Sequence, residues 1–142
     1  MNPRILLVDD EERFRTTLAK RLSERQLEVA TVGSGMEAIE EIQRRLYDVI
    51  ILDIKMPGLD GIETLAEIKK LNPGIEVVLL TGHGTMESAI DGMRKGAYDY
   101  LLKPCDIDLL VEKILGAYEI KAKRDERLRQ AEIRRLINRR PG

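Results

Sequence analysis

The chain has no tryptophan, one phenylalanine, one histidine and one cysteine in 142 residues. With Cys105 alone, no internal disulfide can form and no thiolate cluster can hold a metal, so the residue is expected to be a small, half-buried side chain. Long apolar runs are missing too. None exceeds four residues, far below the roughly 18 that span a bilayer, and no membrane segment is expected. Met1-Asn2-Pro3-Arg4 leads straight into a strand pattern without an apolar signal core or a small-residue cleavage site, which points to a cytoplasmic protein. Neither a repeat of about 20 to 50 residues nor a low-complexity segment is present.

Charge is plentiful but segregated. Residues 1–120 carry 15 Lys/Arg and 22 Asp/Glu, a net −7, whereas residues 121–142 carry 9 and 3, a net +6. The length suits one domain with a tail rather than two domains. The expected organisation is therefore an acidic body over 1–120 and a basic helical extension or tail over 121–142.

Within the body, Arg4–Val8, Glu28–Val32, Val49–Leu52, Glu76–Leu80 and Tyr98–Leu102 read as strands, several of them apolar without alternation, as in a parallel sheet covered on both faces. Between them, apolar residues recur at helical spacing: Phe14, Leu18 and Leu22; Met36, Ile39, Ile42 and Leu46; Ile62, Leu65, Ile68 and Leu71; Met86, Ile90 and Met93. Ser34 or Gly35 can cap the second helix, Asn72-Pro73-Gly74 stops the third, Gly96 closes the fourth, and a last helix starts near Asp106. Alternating strands and helices with right-handed crossovers give an α/β fold, a doubly wound five-stranded parallel sheet of flavodoxin-like order 2-1-3-4-5 with an extended C-terminal helix.

The residues at the strand ends carry the chemistry. Asp9 and Asp10 follow the first strand, Asp53 the third, Thr81 the fourth and Lys103 the fifth, all on the rim where open α/β sheets bind ligands. In this strand order the first and third strands are neighbours, so Asp9, Asp10 and Asp53 converge. Carboxylates about 4 Å apart repel by roughly 4 kcal/mol per pair at an effective dielectric near 20, and a cation must offset that. Mg²⁺ suits such an oxygen set, and Lys103 adds a point charge. Beside these cations Asp53 can attack a phosphoryl donor, with the Thr81 hydroxyl donating to a phosphoryl oxygen. Taken singly, each piece has a plainer reading: an acidic first helical turn for Asp9-Asp10, a turn at Thr81-Gly82, a surface corner at Lys103-Pro104.

The set as a whole, an acidic pair after strand one, Asp53 with Met56-Pro57-Gly58 and Gly61 behind it, Thr81-Gly82, Tyr100 and Lys103-Pro104, resembles the receiver domain of bacterial two-component response regulators. The resemblance covers about residues 3–120. It implies Asp53 as phosphoacceptor, Asp9 and Asp10 as Mg²⁺ ligands with the Lys55 carbonyl, Thr81 as hydroxyl switch with Tyr100 as its aromatic follower, Lys103 as the phosphate-pairing cation, and a cis Lys103-Pro104 peptide. It also implies a sensor histidine kinase as donor, a downstream output domain or protein as target, and no enzymatic activity beyond self-phosphorylation and autodephosphorylation. Lys55 and His83 should flank the phosphoryl group. Two rivals fit less well. A haloacid-dehalogenase-like phosphatase needs a second acid where Lys55 stands, and a flavodoxin-like flavin binder needs a Gly- or Ser/Thr-rich loop where Asp9-Asp10-Glu11-Glu12 stands.

From Ile107 to Arg140 the chain holds neither proline nor a turn cluster, with Gly116 the one weak spot, so a helix from Asp106 to about Asn138 is expected, roughly 50 Å long at 1.5 Å per residue. Positions 107, 110, 114, 117, 121, 124, 128, 131, 135 and 138 form a heptad series that Lys121 and Arg124 interrupt. A solvated helix, a dimerising helix and an anion-binding surface are open readings. The expectation carried forward is a weak homodimer through this helix, the basic tail of one copy meeting the acidic body of another and weakening with salt. No nucleic-acid binding within the chain is expected, since the 22 residues after position 120 are too few for an output module.

Overall fold

The computed structural model describes residues 2–56, 58, 60–82 and 84–139. Strands β1 (Arg4–Val8), β2 (Glu28–Val32), β3 (Val49–Leu52), β4 (Glu76–Thr81) and β5 (Asp99–Leu102) alternate with helices α1 (Glu12–Ser23), α2 (Gly35–Arg44), α3 (Gly61–Leu71), α4 (Met86–Arg94) and α5 (Ile107–Asn138). The strands pair in parallel in the order β2-β1-β3-β4-β5. This is the expected doubly wound sheet with its long final helix. No described helix is long and apolar enough to cross a membrane.

The unalternating strands are explained by two cores. Leu6, Val8, Ile50, Leu52, Val77 and Leu79 face α2 and α3, where Ala38, Leu65 and Ile68 are buried. Ile5, Leu7, Val49, Ile51, Val78 and Leu80 face α1 and α5, where Leu18, Leu22, Leu110, Ile114 and Ala117 are buried. Successive strand residues point to opposite faces, so with helices on both sides every position in β3 and β4 is buried. Polar caps start the helices that follow: Ser34 for α2, Asp60 for α3, Thr85 for α4 and Asp106 for α5 each accept a backbone N–H. Only α1 lacks such a cap among the five.

Small departures from the sequence reading have local causes. β4 runs one residue further than expected, to Thr81, because its carbonyl accepts the Lys103 N–H at 2.9 Å and extends the pairing with β5. β5 begins at Asp99 rather than Tyr98. Gly116 is no weak spot. A Cβ there would lie 2.5 Å from the Tyr98 hydroxyl, so the missing side chain is what makes room for the Tyr98 ring against α5. Lys121 and Arg124, expected to break the apolar series, instead lie half-buried against the body, paired with Asp48 and Glu76. Cys105 is half-buried.

One glycine fixes the loop after β3. A Cβ on Gly61 would stand 2.2 Å from the Asp53 carbonyl oxygen and 2.5 Å from the Ile54 Cα, backbone atoms that cannot swing aside, while the Gly61 N–H donates to the Ile54 carbonyl at 2.7 Å. Gly58, at φ +76°, takes the left-handed turn of the same loop. Gly61→Ala is therefore expected to lower stability by about 1–3 kcal/mol with an unchanged far-ultraviolet circular dichroism spectrum. Urea denaturation of the two proteins measures it; equal midpoints would show that the loop does not depend on this close approach.

Candidate functional site

The site is assembled from strand ends. Val8 pairs with Leu52 and Thr81 with Leu102, so Asp9, Asp53 and Lys103, each one residue past its strand, leave the sheet near one level together with Thr81. The Asp53 N–H donates to the Val8 carbonyl at 3.0 Å and so prolongs the ladder to the residue that matters. Asp9, Asp53 and Thr81 are 1%, 3% and 0% exposed, whereas Asp10 faces solvent.

Lys103 ties the cluster together. Its Nζ lies 2.7 Å from Asp9 Oδ2, 3.6 Å from Asp53 Oδ2 and 3.5 Å from Glu11 Oε1, and it sits 4.0 Å from the centre of the Phe14 ring. Burial works against the ammonium charge. The hydrogen bond that Lys103 donates to Asp9 and the charges of Asp53, Asp9 and Glu11 outweigh it, so Lys103 titrates above an ordinary lysine. Asp53 is shifted in the costly direction. Burial raises its pKa and Asp9 adds to the rise, while a hydrogen bond from the Thr81 hydroxyl, the Lys103 charge and the Lys55 N–H, 3.4 Å from Oδ1, act against it. Around Asp9, the Glu11 N–H donates to Oδ1 at 2.9 Å and the Arg15 Nη1 donates to the Asp9 carbonyl at 2.8 Å.

Asp9, Asp10 and Asp53 each offer a carboxylate oxygen within 4.8 Å of the others. Lys103 sets one ammonium against these three carboxylates, and the exposed Glu11 carboxylate lies 3.5 Å from the same Nζ, so negative charge stays in excess, as a hard divalent cation requires. The all-oxygen donor set and the excess charge fit Mg²⁺.

Tyr100 is half-buried. Its hydroxyl lies 3.0 Å from Ser88 Oγ, within the capping box in which Thr85 and Ser88 close the start of α4. A Cβ on Gly84 would come within 2.8 Å of that hydroxyl. The Lys103-Pro104 peptide is cis. Lys55 is exposed at the rim. Pro57 and His83 lie outside the described residues. Sequence reasoning passed over Glu11, Phe14, Arg15 and Ser88 at the site. Phe14 was read as a core position of α1, and nothing local marks it as the face beneath Lys103, 89 positions away.

Fold and rim define a doubly wound α/β domain with a carboxylate–lysine cluster at its topological switch point. The chain belongs to the response regulator receiver domain family, whose model matches residues 5–115. It is 41% identical over 115 residues to the transcriptional regulatory protein ZraR of Escherichia coli O157:H7, covering 79% of this chain and 26% of that protein. To the transcriptional regulatory protein GlrR of Escherichia coli strain K12 it is 37% identical over 132 residues, covering 92% and 30%. The chain thus spans less than a third of the length of these curated relatives. Among solved structures, a CheY-like response regulator receiver domain protein from Methanospirillum hungatei JF-1 aligns with a TM-score of 0.83 at 28% identity, over 87% of this chain and 99% of that one.

The direction of the Asp53 shift gives a stability prediction. A carboxyl whose folded pKa is raised above its ordinary 3.8 favours the native state while protonated, below 3.8. That contribution is lost as pH rises through the folded pKa, and above it the ionised group is a burden. At neutral pH in chelator, Asp53→Asn should therefore raise the melting temperature by a few degrees, a gain that vanishes near pH 3. A lower melting temperature at pH 7 would mean that the Lys103 pairing outweighs the burial.

Proposed function

We propose that Asp53 is the phosphoacceptor of this receiver, taking a phosphoryl group from the phosphohistidine of a sensor histidine kinase. A carboxylate oxygen of Asp53 bonds to phosphorus as the phosphorus–nitrogen bond to the imidazole breaks, and water later attacks phosphorus to release inorganic phosphate and restore the carboxylate. The observation that carries this reading is the single ammonium of Lys103 held between Asp9 and Asp53 at 2.7 and 3.6 Å. A half-buried lysine in that place pairs with oxygens on both sides, and phosphoryl oxygens added to Asp53 would enter its reach.

In this reading Asp9, Asp10 and Asp53, with the Lys55 carbonyl, would hold Mg²⁺. When bound, that ion neutralises charge on the phosphoryl oxygens through the transfer. The chain's own groups do the rest. Lys103 pairs with a phosphoryl oxygen, and Thr81, whose hydroxyl already donates to Asp53, transfers that bond to the phosphoryl group. The phosphoryl adds about −1.5 to −2 charges and strong acceptors, and Tyr100 follows Thr81, shifting α4, β5 and the start of α5 between two arrangements that differ in population. The target is a downstream output domain or protein. The basic extension after residue 120 forms the link, and a weak homodimer through α5 is part of the same proposal. The chain itself performs no turnover beyond gaining and losing this phosphoryl group, in the cytoplasm.

Incubation with radiolabelled acetyl phosphate and Mg²⁺ should label the native chain, and Asp53→Asn should reduce the label to background; stoichiometric labelling of the variant would refute the assignment. Lys55 bears on lifetime. Its exposed cationic side chain, two residues past Asp53, shields the phosphoryl group from water, so Lys55→Ala should speed dephosphorylation severalfold, and an unchanged decay rate would remove Lys55 from the account.

A further inference from the structure

Helix α5 buries Leu110, Ile114 and Ala117 against the sheet, with Ile107, Val111 and Tyr118 half-buried beside them, and residues 125–139 are all exposed. In between, Lys121 and Arg124 continue the buried face at spacings of four and three. They meet the amino-terminal edge of the sheet, the edge opposite Asp53. There Asp48, just before β3, accepts the Arg4 N–H at 2.8 Å and stands 3.4 Å from Lys121 Nζ, which also donates to Asp125, one turn on in its own helix, at 2.6 Å and so bridges helix and body. Glu76, the first residue of β4, is 5% exposed and accepts from Arg124 Nη2 at 2.7 Å. Arg124 Nη1 also reaches the Pro73 carbonyl at 3.5 Å. On the far side of Glu76, Lys69 Nζ lies 3.9 Å from its second oxygen and donates to the Ile75 carbonyl at 2.7 Å.

We infer that Asp48 and Glu76 form a docking surface for the chain's own extension, occupied by Lys121 and Arg124, and that this clasp fixes the direction in which α5 leaves the body. Burial separates it from the other ion pairs of the helix. Lys123 and Glu119 are both 66% exposed, and such pairs contribute little. The Arg124 and Glu76 side chains are 35% and 7% exposed and those of Lys121 and Asp48 16% and 24%, so water screens these contacts less. Lys69 makes the clasp releasable. When Arg124 swings out, Glu76 keeps a cation beside it, and opening leaves no unpaired buried carboxylate. The folded body thus extends to about residue 125 instead of ending at 120, and the exposed remainder is held as a directed lever. The inference is independent of the phosphoacceptor assignment, since the clasp and Asp53 lie at opposite edges.

Amide hydrogen exchange of the full chain tests it. In Lys121→Gln combined with Arg124→Gln, exchange across residues 119–128 should accelerate about tenfold or more, while β3 and β4 amides keep native rates and report an intact fold. Glu76→Gln should loosen the same segment, and Lys123→Gln, the same charge change on the outer face, should leave it at native rates. Native protection in the double variant, or equal loosening by Lys123→Gln, overturns the clasp. So does loss of that protection when the native chain is diluted to where it is monomeric, which would place these contacts on a second copy.

Discussion

The pairing of Lys103 with Asp9 and Asp53 is the contact on which the rest of the rim depends. Two carboxylates almost removed from water would repel each other and pull in solvent or protons. One ammonium from a third strand end holds them ionisable and close, at the cost of its own desolvation, and the ring of Phe14 closes the site behind it. The charge balance is incomplete: three carboxylates against one ammonium leave an excess that suits a divalent cation. A neutral residue at position 103 would leave the acids uncompensated, and a second lysine would cut the excess negative charge that makes the site fit a dication.

This arrangement was legible because parallel strands buried on both faces leave a simple trace. ILLV, VIIL and VVLL are runs without alternation, each ended by Asp9, Asp53 or Thr81, and the rule that such sheets work at their carboxyl edge assembles the site from the ends of those runs. Gly61 stood out in the sequence beside Asp53, and its close approach to that residue's carbonyl gives the reason. The amino-terminal edge was less legible. Lys121 and Arg124 read as breaks in an apolar series because the heptad pattern rewards only apolar residues, whereas Asp48 and Glu76 lie 73 and 48 positions away and supply the partners. Ion pairs across such separations leave no periodicity. Gly116 likewise read as a flaw in α5 until the Tyr98 ring was placed over it.

The two edges give the domain a division of labour. At the carboxyl rim the Thr81 hydroxyl bonds to Asp53, and separately the Tyr100 hydroxyl bonds to Ser88 in the first turn of α4. At the opposite edge α5 is held by buried charge.

The most direct test of the central claim is the position of the acyl phosphate itself. Borohydride reduces an aspartyl phosphate to homoserine with loss of inorganic phosphate, and tandem mass spectrometry then locates the altered residue. After treatment with acetyl phosphate and Mg²⁺, the account predicts homoserine at position 53 and unmodified aspartate at positions 9 and 10. Homoserine at either of those two, with Asp53 intact, would contradict it.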